Sequence, residues 1–196
     1  MKRTNKYNIY DFDQTIYNGN STLDFYIFVM KLDPKILKYV PFQLWHILLF
    51  LLKRENKTIA KGKILVFLRD ITDINSMVDN FWDQNYQKMK KWYLTNEHAT
   101  DIIISASPSF LLKPIFENLG AYKLIATTVN VNTGIIQGNN CYGIEKLRRL
   151  KLETQGLIFG QAYSDSLSDL PILEIAENAF IVKGDLIVPL TEYRNS

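Results

Sequence analysis

Four short runs of apolar residues, mostly β-branched or aromatic, predict buried strands. They cover residues 7–12, 101–105, 122–129 and 156–163. Continuous apolar runs of this length are typical of strands that are covered on both faces. Segments with a three- to four-residue apolar period predict helices at 108–119, 144–153 and 167–178. This alternation predicts an α/β fold, a three-layer Rossmann-like core with a parallel sheet.

Residues 18–97, between the first two strands, have helical patterns and contain all three tryptophans, Trp45, Trp82 and Trp92. Ser76 with Asp79 is interpreted as a capping box that opens a helix, with one apolar face running to Tyr93. We therefore predict a helical cap domain over 18–97, inserted into a core formed by residues 1–17 and 98–196.

The helix predicted after Pro41 is apolar except for a polar stripe. That stripe contains Gln43, His46, Lys53, Arg54 and Lys57. We expect this helix to form the centre of the cap, because a cap of this size needs its own core. The alternative is a helix that lies in a membrane surface, which a broad apolar face, a basic stripe and a tryptophan also favour.

Composition narrows the function classes. A net charge of +3 over 196 residues argues against a nucleic-acid partner. The single cysteine, Cys141, favours a reducing compartment and is expected to be structural. The longest apolar run, 39–52, is too short to span a bilayer, and residues 1–8 do not resemble a signal peptide. We expect a cytoplasmic protein, with contact between the cap and a membrane as the alternative; the oligomeric state is left open.

Polar clusters stand at the ends of three predicted strands. Asp11 and Asp13 stand at the end of the first strand, on one face, where two carboxylates favour a bound cation. Ser105, Ala106 and Ser107 end the second strand, and small residues there let backbone N–H groups approach a phosphate.

Asp165 and Asp169 follow the last predicted strand, at the sheet edge where open α/β sheets bind ligands. Lys146 lies near a predicted helix start. Each cluster has an ordinary structural explanation: a solvated turn, a helix cap or a surface lysine. Their order along the chain nevertheless predicts a site for a divalent cation and a phosphate. Two histidines, His46 and His98, are too few for zinc, so oxygen ligands and Mg²⁺ are expected.

These motifs resemble those of the haloacid dehalogenase superfamily of phosphohydrolases. DFDQT is similar to its first motif, Ser105 to the second, Lys146 to the third, and Asp165 with Asp169 to the fourth. The insertion over 18–97 occupies the place of the superfamily's C1 cap. ISASPSFLLKPI, CYGIEK and YSDSLSDLPIL are most similar to subfamily IB, which includes phosphoserine phosphatases and the phosphatidylglycerophosphatase C type.

The resemblance implies a magnesium-dependent phosphatase with an aspartyl-phosphate intermediate. Asp11 would be the nucleophile and Asp13 the acid and base. Mg²⁺ would be bound by Asp11, the backbone carbonyl of Asp13, and Asp165. Ser105 and Lys146 would hold the phosphoryl group with N–H groups near Ala106 and Ser107. Thr15 would orient the first loop, and Asp169 would hold Lys146 or a metal-bound water.

Two positions depart from the family pattern. Gln14 stands where glycine is frequent, and Asn20 stands where phosphoserine phosphatases carry a glutamate for the substrate ammonium group. Asp24, at least one turn further on, is the remaining acidic candidate, so phosphoserine is demoted as a substrate. We expect a small phosphorylated metabolite. The alternatives are a lipid phosphatase of the phosphatidylglycerophosphatase type and a phospho-ligand binding protein without turnover.

Overall fold

The computed structural model describes residues 5–96 and 99–195. Its strands are β1 (Lys6–Tyr10), β2 (Asp101–Pro108), β3 (Lys123–Thr127), β4 (Ile158–Ser164), β5 (Asn178–Lys183) and β6 (Leu186–Pro189). They form one sheet in the order β3-β2-β1-β4-β5-β6. Neighbouring strands are parallel up to β5, and β6 is antiparallel to β5. The predicted α/β fold is therefore confirmed, with an antiparallel strand added at one edge.

The helices lie in two groups. Between β1 and β2 are α1 (Ser21–Leu32), α2 (Val40–Leu51), α3 (Lys57–Ile64), α4 (Ile74–Asn85) and α5 (Lys91–Leu94). The others are α6 (Ser109–Leu119), α7 (Ile144–Glu153), α8 (Leu170–Leu173) and α9 (Leu190–Tyr193). Short 3₁₀ helices occupy Pro34–Tyr39, Leu65–Asp70, Tyr86–Lys88 and Leu167–Asp169. The predicted boundary at 97 and 98, including His98, lies outside the described residues.

The sheet brings the predicted site loops together. β1 lies at the centre, with Ile9 opposite Ile102 of β2 and Ala162 of β4. All three strands run in the same direction, so their carboxyl ends meet at one edge. The loops that follow β1, β2 and β4 are therefore neighbours although they are far apart in sequence.

One apolar cluster joins the inserted helices to the sheet. Phe25, Phe67 and Phe81 from the insertion pack in the same cluster as Phe12 and Ile103. Trp82 Nε1 also donates a hydrogen bond to the Leu111 carbonyl in α6 at 2.7 Å. A second cluster, which includes Ile102 and Ile104, covers the opposite face. Because residues on a strand alternate between faces, the isoleucine run serves both clusters.

Two predicted helices are wrong in extent. The helix predicted over 167–178 is a 3₁₀ turn followed by α8, because the chain then enters β5. β5 and β6 were missed; their signal is a pair of apolar runs around Gly184, which has a φ of 59°.

The helix predicted from Ser76 starts at Ile74, because Asp73 is its N-cap and accepts from the Ser76 N–H. It also ends at Asn85 instead of running to Tyr93. Met89 is extended and forms a β-bridge with Tyr17. The reason is that the chain must return to the sheet beside its point of departure.

The expected position of α2 at the centre of the cap is wrong. Gln43 is the buried residue of this helix, whereas Leu44 and Trp45 are exposed. Gln43 accepts a hydrogen bond from the Tyr26 hydroxyl and donates one to the Ile64 carbonyl, so polar contacts anchor the inner face. No helix of the described residues is long and apolar enough to cross a membrane.

A glycine sits where a loop of the core meets the insertion. Gly134 has a φ of 72°, and a Cβ atom there would lie 2.2 Å from the Leu65 carbonyl oxygen. Arg69 Nε also donates to the Thr133 carbonyl at 3.2 Å. Close backbone approach therefore fixes this contact.

We expect Gly134→Ala to lower the free energy of unfolding by about 2–4 kcal/mol, since strain adds to a backbone clash. Urea denaturation measures the loss. Gly120→Ala is the matched control, because Gly120 has a φ of 64° and open space around it. Gly120→Ala should lower the free energy of unfolding by about 1 kcal/mol. Equal losses in the two variants would contradict the proposed contact.

Candidate active site

Lys146 connects two of the predicted clusters, those that follow the first and the last predicted strand. It lies in the first turn of α7 with only 2% of its surface exposed. Its Nζ donates to Asp11 Oδ1 at 2.5 Å and to Asp169 Oδ2 at 2.6 Å. Lys146 is therefore a buried cation shared by two carboxylates, and not a surface lysine.

The charges of this group depend on one another. Burial lowers the pKa of Lys146, but the carboxylates of Asp11 and Asp169 outweigh burial and raise it above its ordinary value. Burial raises the pKa of Asp11, and Asp169 raises it further, against the effect of Lys146. Lys146 consequently stays charged while one ammonium group serves two acids.

Thr15 connects the loop after β1 to the loop after β4. Its hydroxyl donates to Asp11 Oδ2 at 3.3 Å and accepts from the Asp165 N–H at 2.9 Å. Within the segment that follows β4, the Ser164 hydroxyl donates to Asp169 Oδ2 at 2.8 Å. The carboxyl groups that follow β1 and β4 are thus held at fixed positions.

Asp13 is oriented by groups from two other segments. Its Oδ1 accepts from the Ser21 N–H at 2.7 Å, and its Oδ2 accepts from the Ser107 hydroxyl at 2.5 Å. Ser21 lies at the start of α1, and its hydroxyl also donates to Ser107 Oγ. The first turn of the insertion is therefore part of the site. Sequence analysis missed Ser21, although a small hydroxyl residue at a helix start is a usable signal.

Ser105 and Ser107 are buried and line the cavity described below, and α6 starts at Ser109. The Ser107 N–H donates to Ser105 Oγ at 3.0 Å. The Ala106 carbonyl accepts from Thr127 Oγ1 and from Lys61 Nζ. Only the N–H of Ser107 is engaged within this loop, since its hydroxyl contacts Asp13 and Ser21 from other segments.

Gln14 adopts a backbone conformation that favours glycine, with a φ of 60°. The carbonyl of Gln14 accepts from Lys90 Nζ at 2.5 Å, and Gly184 provides a second acceptor at 2.6 Å. Lys90 is 5% exposed and follows the extended Met89. Sequence analysis missed Lys90, because nothing in its local pattern distinguishes it from the neighbouring lysines.

The donor set fits a hard divalent cation. Asp11 and Asp165 both line one cavity, and burial raises the pKa of both carboxyl groups. Asp169 Oδ1 is buried and has no hydrogen-bond partner among the described residues. Within residues 5–96 and 99–195, no three His, Cys, Asp or Glu side chains form a metal cluster. Mg²⁺ needs only one or two carboxylates, with carbonyl and water oxygens besides, so these residues fit it.

A cavity of about 560 Å³ lies over these groups. Its acidic lining residues, Asp11, Asp13, Asp165 and Asp169, all come from the loops of the core. The insertion contributes a mostly apolar wall that includes Leu23, Tyr26, Ile47, Phe50, Ile64 and Phe67, together with Asn20, Thr22 and Lys61.

The expectation that Asp24 could replace the missing glutamate is wrong. Asp24 does not line the cavity, because its Oδ2 accepts from the Tyr17 hydroxyl at 2.8 Å and from Lys88 Nζ at 3.1 Å. Asn20 instead caps α1, accepting from the Leu23 N–H. Cys141 is fully buried, and burial raises the pKa of its thiol to about 11, which agrees with a structural role.

Glu145 fixes the helix that carries Lys146. Arg148 donates two hydrogen bonds to its carboxylate, and Arg149 donates one. These contacts, with Arg148 first, lower the pKa of Glu145 to about 2 from an ordinary value of 4.5. Arg149 also donates to the Ala126 and Asn139 carbonyls, so the start of α7 is tied to β3 and the loop before the helix.

Since the pKa of Glu145 is lower in the folded chain, its ionised form stabilises the fold above about pH 4.5, and this contribution is lost as the pH falls towards 2. We expect Glu145→Gln to reduce the free energy of unfolding at about pH 7 and to reduce it less at about pH 3. Urea denaturation at both pH values measures the difference. Glu117→Gln, at an exposed carboxylate 3.8 Å from Lys113, is the control with little effect. A pH-independent effect of Glu145→Gln would contradict the ion pairs.

Solved structures with the same fold include the following three. A Bordetella pertussis Tohama I protein of unknown function has a TM-score of 0.74 at 20% identity, over 90% of this chain and 89% of its own. A HAD family hydrolase from Salmonella enterica serovar Typhi has a TM-score of 0.65 at 15% identity, over 88% of this chain and 61% of its own. A substrate-bound phosphoserine phosphatase has a TM-score of 0.59 at 16% identity, over 91% of this chain and 86% of its own.

Sequence comparison matches one relative over part of the chain and a family model over most of it. A probable phosphatase of Mycobacterium tuberculosis is 35% identical over 91 residues, which are 43% of this chain and 32% of the relative. The chain thus matches about a third of that relative's length. The model of the haloacid dehalogenase-like hydrolases matches residues 9–174, which include every predicted site residue. The chain therefore belongs to the haloacid dehalogenase-like hydrolase family.

Proposed function

We propose that the chain is a magnesium-dependent phosphatase that hydrolyses phosphomonoesters through an aspartyl-phosphate on Asp11. The observation that carries this proposal is the Lys146 ammonium group, buried between Asp11 and Asp169 beneath the cavity. A nucleophilic carboxylate, a fixed cation and further acids at one sheet edge suit phosphoryl transfer, which depends on positioning and charge neutralisation.

Asp11 attacks phosphorus, and the ester P–O bond breaks. Asp13, held by Ser21 and Ser107, gives its proton to the leaving oxygen. In the second step Asp13 takes a proton from water, whose oxygen attacks the phosphorus and releases phosphate and Asp11. The reaction is thus a net hydrolysis with both proton transfers at one carboxyl group.

Lys146 and Ser105 bind the phosphoryl oxygens, with help from N–H groups near Ala106 and Ser107. Thr15 and Asp169 hold Asp11 and Lys146 in place. Asp11, Asp165 and the Asp13 carbonyl would hold Mg²⁺, which supplies charge neutralisation at the transferring group.

We expect Asp11→Asn to lower hydrolysis of p-nitrophenyl phosphate by about 1000-fold or more, because the amide is not a nucleophile. The far-ultraviolet circular dichroism should be unchanged, and chelation of Mg²⁺ should abolish the wild-type activity. Asp24→Asn is the control, since Asp24 lies outside the cavity. Retained turnover in Asp11→Asn would exclude the mechanism and leave a phospho-ligand binding protein as the alternative.

The apolar wall bears on the substrate. The described lining residues of the insertion include no carboxylate to receive an ammonium group, which argues against phosphoserine. We keep a small phosphorylated metabolite as the first candidate, with an apolar part in its leaving group. A lipid phosphate monoester of the phosphatidylglycerophosphate type is the second, favoured by the apolar residues from α1, α2 and α3 that face the cavity.

We expect kcat/KM to be at least about tenfold higher for hexyl phosphate than for phosphoserine, since each buried methylene is worth about 0.8 kcal/mol. Ile47→Ser should reduce kcat/KM for hexyl phosphate several-fold and leave glycerol phosphate unchanged, because only the longer chain reaches the apolar wall. Steady-state kinetics on this panel, with phosphatidylglycerophosphate added, checks the expectation. A preference for phosphoserine would overturn it.

A further inference from the structure

The exposed face of α2 is apolar, which is unusual for a helix at a protein surface. Leu44, Trp45, Leu48, Leu51 and Leu52 are 59%, 58%, 45%, 69% and 56% exposed. They recur at three- and four-residue spacing and therefore form one outward stripe along the helix. A contiguous exposed apolar surface of this kind marks an interaction site.

The inner face of α2 shows that this orientation is built into the fold. Gln43 is 4% exposed and hydrogen-bonded to Tyr26 and to the Ile64 carbonyl. One turn later, His46 Nδ1 lies 2.8 Å from Glu55 Oε1. Turning the helix to bury the outward stripe would expose or break these contacts, so the stripe stays at the surface of the chain.

Charge distinguishes the kind of partner. Residues 35–63 contain seven lysines and arginines and a single acid, Glu55, which is paired with His46. Two of the seven are engaged elsewhere, because Lys38 pairs with Asp70 and Lys61 Nζ donates to the Ala106 carbonyl. Lys53 and Arg54 are exposed directly after α2, and neither forms an ion pair within the described part of the chain. Lys63 Nζ lies 5.8 Å from the centre of the Phe42 ring, which places a further cation beside the helix.

We propose that α2 docks the protein on an anionic lipid surface, with the outward stripe in the interface and the basic residues against the headgroups. An amphipathic helix binds a bilayer surface through its apolar area and its cations together, and tryptophan favours that boundary. Ile47 and Phe50 of the same helix line the cavity, so docking would place the cavity wall next to the lipid.

The test is co-sedimentation with vesicles of phosphatidylglycerol and phosphatidylcholine, and with vesicles of phosphatidylcholine alone. We expect the wild-type chain to bind the anionic vesicles at low salt. Raising the salt to molar strength should weaken this binding at least about tenfold. The assay needs no turnover, so its outcome is independent of the proposed phosphatase activity. No binding to anionic vesicles at low salt would overturn the proposal.

A matched pair of variants separates the stripe from general hydrophobicity. Leu44→Ser with Leu51→Ser removes two stripe residues that are 59% and 69% exposed. Leu152→Ser with Leu186→Ser removes two leucines outside the inserted helices, in α7 and β6, that are 61% and 70% exposed. We expect vesicle partition to fall at least about tenfold in the first variant and to stay within about twofold in the second. Similar losses in both would overturn the assignment of the stripe.

Two further readouts bear on the same proposal. Lys53→Gln with Arg54→Gln should weaken partition about tenfold at low salt and much less at high salt, because each base contributes to attraction by anionic lipid. Trp45 fluorescence should shift to shorter wavelength on docking, and Trp45→Phe should remove that shift.

A stripe that instead mediates association with a second copy would give a concentration-dependent dimer by analytical ultracentrifugation. Such a dimer without vesicle binding would overturn the proposal.

Discussion

The buried ammonium group of Lys146 is the interaction on which the rest of the site depends. It reaches Asp11, 135 positions away in sequence, and Asp169, 23 positions away. A buried charge is tolerated only when it is paired, so the loops after β1 and β4 must converge on the start of α7. The Glu145 contacts with Arg148 and Arg149 hold that helix turn in place, and Thr15 connects the same two loops from the other side.

The inserted helices are coupled to this site through polar and apolar contacts. Ser21 binds Asp13 through its backbone N–H, and Lys90 binds the Gln14 carbonyl where the insertion returns. Both ends of the insertion thus touch the loop that carries the proposed nucleophile. The cluster that contains Phe25 and Phe12 continues this coupling into the interior. In the proposed enzyme, the segment that shapes the apolar wall also orients the acid that serves the leaving group.

Helix α2 shows why an apolar pattern alone was misinterpreted. Its sequence is apolar on most sides, which a buried helix and an interfacial helix share. The apolar sequence of α2 predicts burial, because hydrophobic residues usually supply a core. That core is instead formed by residues of other elements, such as Phe67, Phe81 and Trp82. With the interior already filled, the polar contacts of Gln43 determine which side of α2 faces inward, and leucines face outward.

Apolar periodicity and strand direction are local properties, so they are enough to predict the α/β alternation, a helical segment between the first two strands and the polar clusters that meet at the carboxyl edge. The sequence also determined the family, through motifs whose order is preserved. The tertiary structure was needed to show that Lys146 is buried, that Asp24 is turned away to Tyr17 and Lys88, and that Ser21 and Lys90 join the site. It also decided which face of α2 is exposed. These outcomes depend on contacts between distant segments, whose competition for the interior no single stretch of sequence records.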